Sequence, residues 1–135
     1  MLDHKAIRAH CEALVENFQI DAPAVDAPVR QLSGGNQQKI LLARSIHRKP
    51  QVLIASQPTR GLDVAAMQFV YEQILRLKQE GCAIVIISTD LEELLSLTDR
   101  VGVLVGGRFA AVVDGRTADP RVLGLLMGGQ SVKVP

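Results

Sequence analysis

The fold class this sequence predicts is α/β: parallel strands with flanking helices and a C-terminal β-hairpin. Three observations predict it. Two short aliphatic runs, residues 51–55 and CAIVIIS (82–88), are apolar without alternation, the pattern of parallel strands buried on both faces. Between them Ala66, Val70, Ile74 and Leu77 recur at helical spacing, which makes strand–helix–strand and hence a parallel pair. Near the end, VGVLV and RFAAVV flank Gly106-Gly107, a pair that supplies a two-residue hairpin turn. With 135 residues, 47% hydrophobic and 3% aromatic, the chain fits one aliphatic α/β domain with a single core and is not disordered.

The elements follow in order. Ile7, Cys11, Leu14, Val15 and Phe18 predict an amphipathic helix over residues 5–18. DAPAVDAPVR cannot continue it, because its prolines lack the donor and fix φ. Ser33 is a good N-cap for a helix running to about His47, where Lys49-Pro50 stops it. After the first buried strand, Asp63 can cap the next helix and Gly81 ends it. Asp90 opens a short helix through about Leu97, the hairpin follows, and a weakly patterned tail holds a short helix around Val122–Met127. No internal repeat and no low-complexity tract interrupts the series.

Composition excludes several functions. The net charge is +1 and no basic cluster stands clear of acidic neighbours, so there is no electrostatic case for nucleic acid. Cys11 and Cys82 lie in apolar segments and read as buried reduced thiols, not a disulfide framework. MLDHKAIRAH lacks the apolar core of a signal peptide, and no run approaches the ~18–20 apolar residues of a membrane span. His4, His10 and His47 have no metal-ligand spacing and read as solvated. Glu92 and Glu93 sit in a first helical turn, where acids favour the helix dipole, and are assigned no chemistry.

The strongest chemical signal is LSGGNQQK, Leu32 to Lys39. Ser33 caps a helix whose first turn presents free backbone N–H groups at the positive end of the dipole. Gly34 and Gly35 have no side chains there, so a phosphate can approach the backbone closely. By itself a Ser-Gly-Gly turn also serves simply to start a helix. It is followed here by the strand VLIAS, then Gln57-Pro58-Thr59, Gly61-Leu62-Asp63 and, one βαβ step later, Ser88-Thr89-Asp90.

This order and spacing resemble the later part of an ATP-binding-cassette (ABC) nucleotide-binding domain, over about residues 5–129. LSGGNQQK is similar to that family's signature, VLIASQPT to its Walker B strand, and RGLD to its D-loop. IISTDLEELLSLTDRVGVLVGGR resembles the switch-histidine strand and the hairpin after it. The forms NQQK and QPTRGLDV narrow the resemblance to the C-terminal cassette of fused double-cassette ATPases of bacterial sugar and nucleoside importers, with QPTRGLDV tilting toward nucleosides. The implied fold is a partial P-loop NTPase-like domain lacking the Walker A strand. Within it residues 1–50 form the helical and signature part, 51–115 the Walker B to switch strand and hairpin, and 116–135 a tail.

The pattern departs from the family at the chemistry. Where the resemblance implies an aspartate that orients Mg²⁺ and a glutamate that polarises water, Ser56 and Gln57 stand. A serine has no charge for a hard cation, and glutamine cannot take a proton. Thr89 stands where a histidine contacts the γ-phosphate. Losing three groups that act in the transition state implies a site that does not turn over. The Walker A pattern GxxxxGK[ST] and the glutamine loop are also absent, so the chain is expected to be an excised, split or truncated piece of a longer protein.

In the family two cassettes pack head to tail, and each ATP lies between one Walker A and the opposite signature. The resemblance therefore implies that Ser33, Gly34, Gly35 and Gln37 close over nucleotide held by a partner cassette, with Asp63 at the same interface. Gln37 as plain helix surface and Asp63 as a helix cap only remain open alternatives. ATP and Mg²⁺ are implied only in the full cassette dimer, and no metal is assigned to this chain. The implied partners are an N-terminal cassette, transmembrane permease subunits and, indirectly, an extracytoplasmic solute-binding protein. The implied location is cytoplasmic, peripheral at the inner face of the cell membrane.

The missing Walker A strand leaves a gap beside CAIVIIS, so the isolated piece is expected to be marginal or to self-associate. The alternatives are a non-transport regulatory or binding module on the same scaffold, an inactive truncated product, or a soluble cassette of translation or DNA repair, against which the lack of an insertion speaks.

Overall fold

The computed structural model describes residues 2–130 of the chain. These divide into two compact units between Val85 and Ile86.

The first unit opens with α1 (His4–Asn17), capped by Asp3, whose carboxylate accepts from the amides of Lys5 and Ala6. α1 buries none of its residues; Leu14 and Val15 only rest against Phe18 and Ile20. Those two residues, Leu32 and Ala43 form the buried core of this region, joined by Ile40, Leu42, Ile46 and Phe69. A short 3-10 turn at Val29–Gln31 leads into α2 (Gly34–Ile46), with Ser33 as N-cap. β1 (Val52–Ser56) follows, then α3 (Val64–Gln79) and β2 (Ala83–Ile87), within which the unit boundary falls. β1 and β2 run parallel as a two-stranded sheet, tied at its start by the Ala83 amide donating to the Gln51 carbonyl at 2.9 Å.

α3 has the stripe read from sequence: Ala66, Val70, Ile74 and Leu77 are its buried residues. Asp63 caps it, accepting from the Ala66 amide at 2.8 Å, and Gly81 leaves it at φ +88°, a left-handed conformation that glycine adopts without strain.

The second unit contains α4 (Leu91–Leu97), β3 (Arg100–Val105), β4 (Arg108–Asp114) and α5 (Pro120–Met127). Asp90 caps α4 and Asp119 caps α5, with Pro120 in the first turn. Gly106 and Gly107, at φ +55° and +77°, close the antiparallel β3–β4 hairpin, as a type I′ turn requires. Its register runs from Arg100 opposite Asp114 to Val105 opposite Arg108, with an irregularity between Val103 and Leu104. Val101 and Val103 face inward and form a core with Leu123 and Leu126 of α5.

Two expectations are corrected. Both strands expected to be buried are covered on one face only: Val52 and Ile54 of β1, and Val85 and Ile87 of β2, are exposed. Their aliphatic composition suits two-sided burial, but the described residues supply a helical layer to one side. Cys11 and Cys82 are free thiols as expected, yet only half-buried, since α1 has no buried residue and Cys82 precedes β2. Glu93, a first-turn acid to which no chemistry is assigned, is buried, at 1% exposure. No side-chain polar atom among the described residues is buried without a hydrogen-bond partner.

Candidate functional site

The site is built on the start of α2. Ser33 Oγ accepts from the Asn36 amide at 3.3 Å and from Asn36 Nδ2 at 3.1 Å. The first intrahelical bond runs from the Gln37 amide to the Ser33 carbonyl, 2.9 Å, so the amides of Gly34 and Gly35 lie ahead of it. Ser33 and Gly34 are exposed and Gly35 is half-buried. A Cβ on Gly34 would meet nothing within 4 Å, whereas one on Gly35 would lie 3.4 Å from the Ala66 Cβ. The open side of Gly34 is room for a ligand; Gly35 lets α2 approach the first turn of α3. Free amides at a helix N-terminus are chemically suited to an anion, and Ser33, Gly34 and Gly35 add no basic side chain.

The rest of NQQK holds this helix start in place. Asn36 Oδ1 accepts from the Asp21 amide at 3.0 Å, and Lys39 Nζ donates to the Gln19 carbonyl at 2.8 Å while lying 4.9 Å over the Phe69 ring. Together they pin the connector after α1 to the face of α2. Gln37 donates its side-chain amide to the Leu32 carbonyl at 2.9 Å, which turns that group back onto its own helix start. Gln38 Nε2 reaches the Pro58 carbonyl at 2.7 Å, tying α2 to the turn that leaves β1. Sequence reasoning singled out Gln37 and missed Asn36, Gln38 and Lys39. The signal available was a run of polar side chains in the first two turns of the helix, able to pair with the backbone donors and carbonyls that loops leave open.

Ser56 ends β1 and is exposed; with Gln38, Leu53, Pro58 and Val70 it lines a groove of about 140 Å³. Gln57 takes φ +50°, a left-handed conformation that costs a non-glycine residue about 1–2 kcal/mol. Pro58 and Thr59 beyond it are buried, and the Arg60 amide donates to the Gln57 carbonyl at 3.2 Å, closing the turn. Asp63 is exposed and caps α3, whose first turn touches that of α2 at Gly35. The structure thus brings Ser33, Gly34, Gly35, Gln37, Ser56, Gln57 and Asp63 into the first unit, on adjoining ends of α2, β1 and α3. Thr89 lies in the second unit, exposed, between β2 and the cap of α4.

The chain's own residues fit one of the two expected ligands. The Gly34 amide end suits a phosphate oxygen. For Mg²⁺ the fit fails: Ser56 and Gln57 carry no charge, and no group of three His, Cys, Asp or Glu among the described residues is placed to hold a metal. His4, His10 and His47 are exposed, with the rings of His10 and His47 5.5 Å apart. No helix among the described residues is long and apolar enough to cross a membrane.

Comparison with known proteins shows what the chain is similar to. The model of the ABC transporter family matches residues 3–60. The nucleoside import ATP-binding protein NupA of Lactococcus lactis subsp. cremoris is 39% identical over 131 residues, which are 97% of this chain and 26% of the relative. The guanosine import ATP-binding protein NupO of Bacillus subtilis is 41% identical over 121 residues, 90% of the chain and 24% of the relative. The glucose import ATP-binding protein TsgD13 of Haloferax volcanii is 44% identical over 130 residues, 95% and 24%. The chain therefore spans about a quarter of the length of these relatives.

Among solved structures, the ATP-binding cassette MJ0796, as a post-hydrolysis dimer bound to ADP and Pi, superposes with a TM-score of 0.73 at 20% identity. That match covers 87% of this chain and 51% of the cassette. An ATP-binding subunit of an ABC transporter gives 0.74 at 20% identity, covering 94% and 56%. At this identity the likeness is one of fold.

Proposed function

We propose a function from one premise: the chain belongs to the ABC transporter family, as an ATPase-domain homologue of nucleoside and sugar import ATP-binding proteins. The chain is the C-terminal part of a cassette in an importer's ATP-binding subunit. It contributes Ser33, Gly34 and Gly35 to a nucleotide held on a partner cassette, with Gln37 holding the turn and Asp63 at the same interface. Its own hydrolytic positions, Ser56, Gln57 and Thr89, do not turn over ATP. ATP and Mg²⁺ belong to this reading only in the assembled cassette pair. There the nucleotide's charge meets the α2 amide end, and the metal is held by residues this chain does not supply. The partners are an N-terminal cassette and permease subunits, which keep the chain peripheral at the inner membrane face and deliver solute from a binding protein. Nucleosides are the favoured cargo and sugars the alternative.

The observation that carries the reading is the exposed Ser33–Gly34 turn at the N-terminus of α2, with open space beside Gly34. Sedimentation of the chain mixed with an importer's N-terminal cassette tests it. The two associate when ATP is added and separate without it. Association indifferent to ATP contradicts the reading. So does ATP splitting by this chain alone that changes at Ser56 or Gln57 abolish. A second reading, a binding or regulatory module without transport, is favoured by the uncharged Ser56–Gln57 pair, and it predicts no ATP-dependent pairing.

A further inference from the structure

The fold brings together two histidines that lie far apart in the sequence. His10 stands within α1 and His47 is the C-cap of α2, both exposed and both in the first unit. Their ring centroids are 5.5 Å apart and the planes are tilted by 58°, so the rings face one another without stacking. Two imidazoles bound to one tetrahedral ion through metal–nitrogen bonds of about 2.1 Å hold their centroids about 5 to 5.5 Å apart. The pair already stands at that spacing.

The backbone of α2 sets the tautomer of His47. Its Nδ1 lies 3.2 Å from the Ala43 carbonyl oxygen and 3.0 Å from that of Arg44. Carbonyl oxygens only accept, so Nδ1 carries the hydrogen and donates it, and the neutral ring keeps its lone pair on Nε2. Metal-ligating histidines are oriented in this way, by a carbonyl or carboxylate on the nitrogen that does not bind. The C-terminal end of α2 adds a field favourable to a cation beside His47. Arg44 and Arg48 are its charged neighbours in the chain; both are exposed, so water and salt screen their repulsion. One turn to either side of His10 on α1 stand Ala6, Ile7, Ala13 and Leu14, which bring no charge to the ring.

We propose that His10 and His47 form a binding site for a divalent transition-metal ion of the class that imidazole prefers, Zn²⁺ or Ni²⁺, held between α1 and the C-terminal end of α2. Among the described residues no third His, Cys, Asp or Glu is placed to join them, so the ion keeps water at its remaining positions and exchanges readily. Mg²⁺ does not compete, because it takes oxygen ligands. The consequence for the fold lies in α1, which buries none of its residues. An ion bridging the two rings clips this helix to α2. The inference goes beyond the proposed function and rests on the histidine pair alone.

The test uses the full chain purified without a histidine tag. Calorimetric titration with Zn²⁺ and, separately, with Ni²⁺ is expected to show one ion per chain, and Mg²⁺ none. His10→Ala and His47→Ala each weaken binding by about 10- to 100-fold or more, since losing a ligand costs at least as much as losing the group that orients one. His4→Ala, on α1 but outside the pair, leaves the affinity unchanged. So does Cys11→Ser with Cys82→Ser, which separates imidazole from thiol binding. Every altered position is exposed or half-buried, so far-UV circular dichroism of each variant matches wild type. Hydrogen exchange supplies a readout that a ring contact without a metal does not move. With Zn²⁺ at about 100 times its dissociation constant, the amides of α1 exchange up to about 100-fold more slowly, and His10→Ala abolishes the slowing. The proposal is overturned if neither ion binds one to one, or if either single histidine variant keeps wild-type affinity. Binding lost in the double serine variant overturns it by assigning the ion to a thiol, and binding that leaves α1 exchange unchanged overturns the bridge between helices.

Discussion

Replacing Gly34 with alanine separates what the helix start does for the fold from what it does for a ligand. Nothing in the chain lies within 4 Å of the new methyl group, so no contact is strained. Gly34 is the first residue of α2 and Ala is the better helix former, by up to about 1 kcal/mol. For a domain of this size that is a rise in Tm of at most about 4 °C. The same methyl group stands on the open side of the helix start, where a phosphate oxygen approaches the Gly34 amide. Losing one hydrogen bond to a charged group costs about 1.5–3 kcal/mol, so ATP-dependent pairing with an N-terminal cassette weakens by about 10- to 150-fold. Differential scanning calorimetry and sedimentation in ATP measure the two effects on one sample. A fall in Tm refutes the geometry, and unchanged pairing at a normal Tm refutes the role given to the open side of Gly34.

Three further outcomes follow from particular contacts. Ser33→Ala removes the cap of α2 and the acceptor for both Asn36 donors, and lowers stability by about 1 kcal/mol in urea titration. Ile74→Ala empties a site at 1% exposure in α3 and costs about 2–5 kcal/mol, read as a lower midpoint in urea titration followed by circular dichroism. Gln38→Leu cuts the 2.7 Å tie between α2 and the Pro58 carbonyl, so hydrogen exchange quickens at residues 57–63 while the amides of β3 and β4 exchange as before.

What the sequence made legible was local. Ser33, Asp63 and Asp90 cap helices where a short acceptor precedes an apolar period, and Gly106-Gly107 turns the hairpin because both positions need φ > 0. The buried stripe of α3 is the 3.6-residue period itself. The likeness to import ATPases was legible because several ordered motifs specify it together. The illegible part depended on neighbours. Val52 and Ile54 carry the composition of a fully buried strand, and only coordinates show which side lacks a cover. Glu93 and Glu92 are equivalent as first-turn acids until the helix is rotated onto its unit, which buries one of them. The tethers from Asn36, Gln38 and Lys39 join residues 15 to 20 positions apart, a separation that no local period encodes.

The direct measurement is a photolabelling experiment. An ATP analogue with a photoreactive group on its γ-phosphate is loaded onto an importer's N-terminal cassette, this chain is added, and the label is mapped by mass spectrometry after irradiation. Label on the peptide holding Ser33 to Gln37, removed by excess ATP and reduced in Gly34→Ala, is the predicted result. Label confined to the neighbourhood of Ser56, Gln57 or Thr89, or none on this chain while the cassette itself is labelled, contradicts the account.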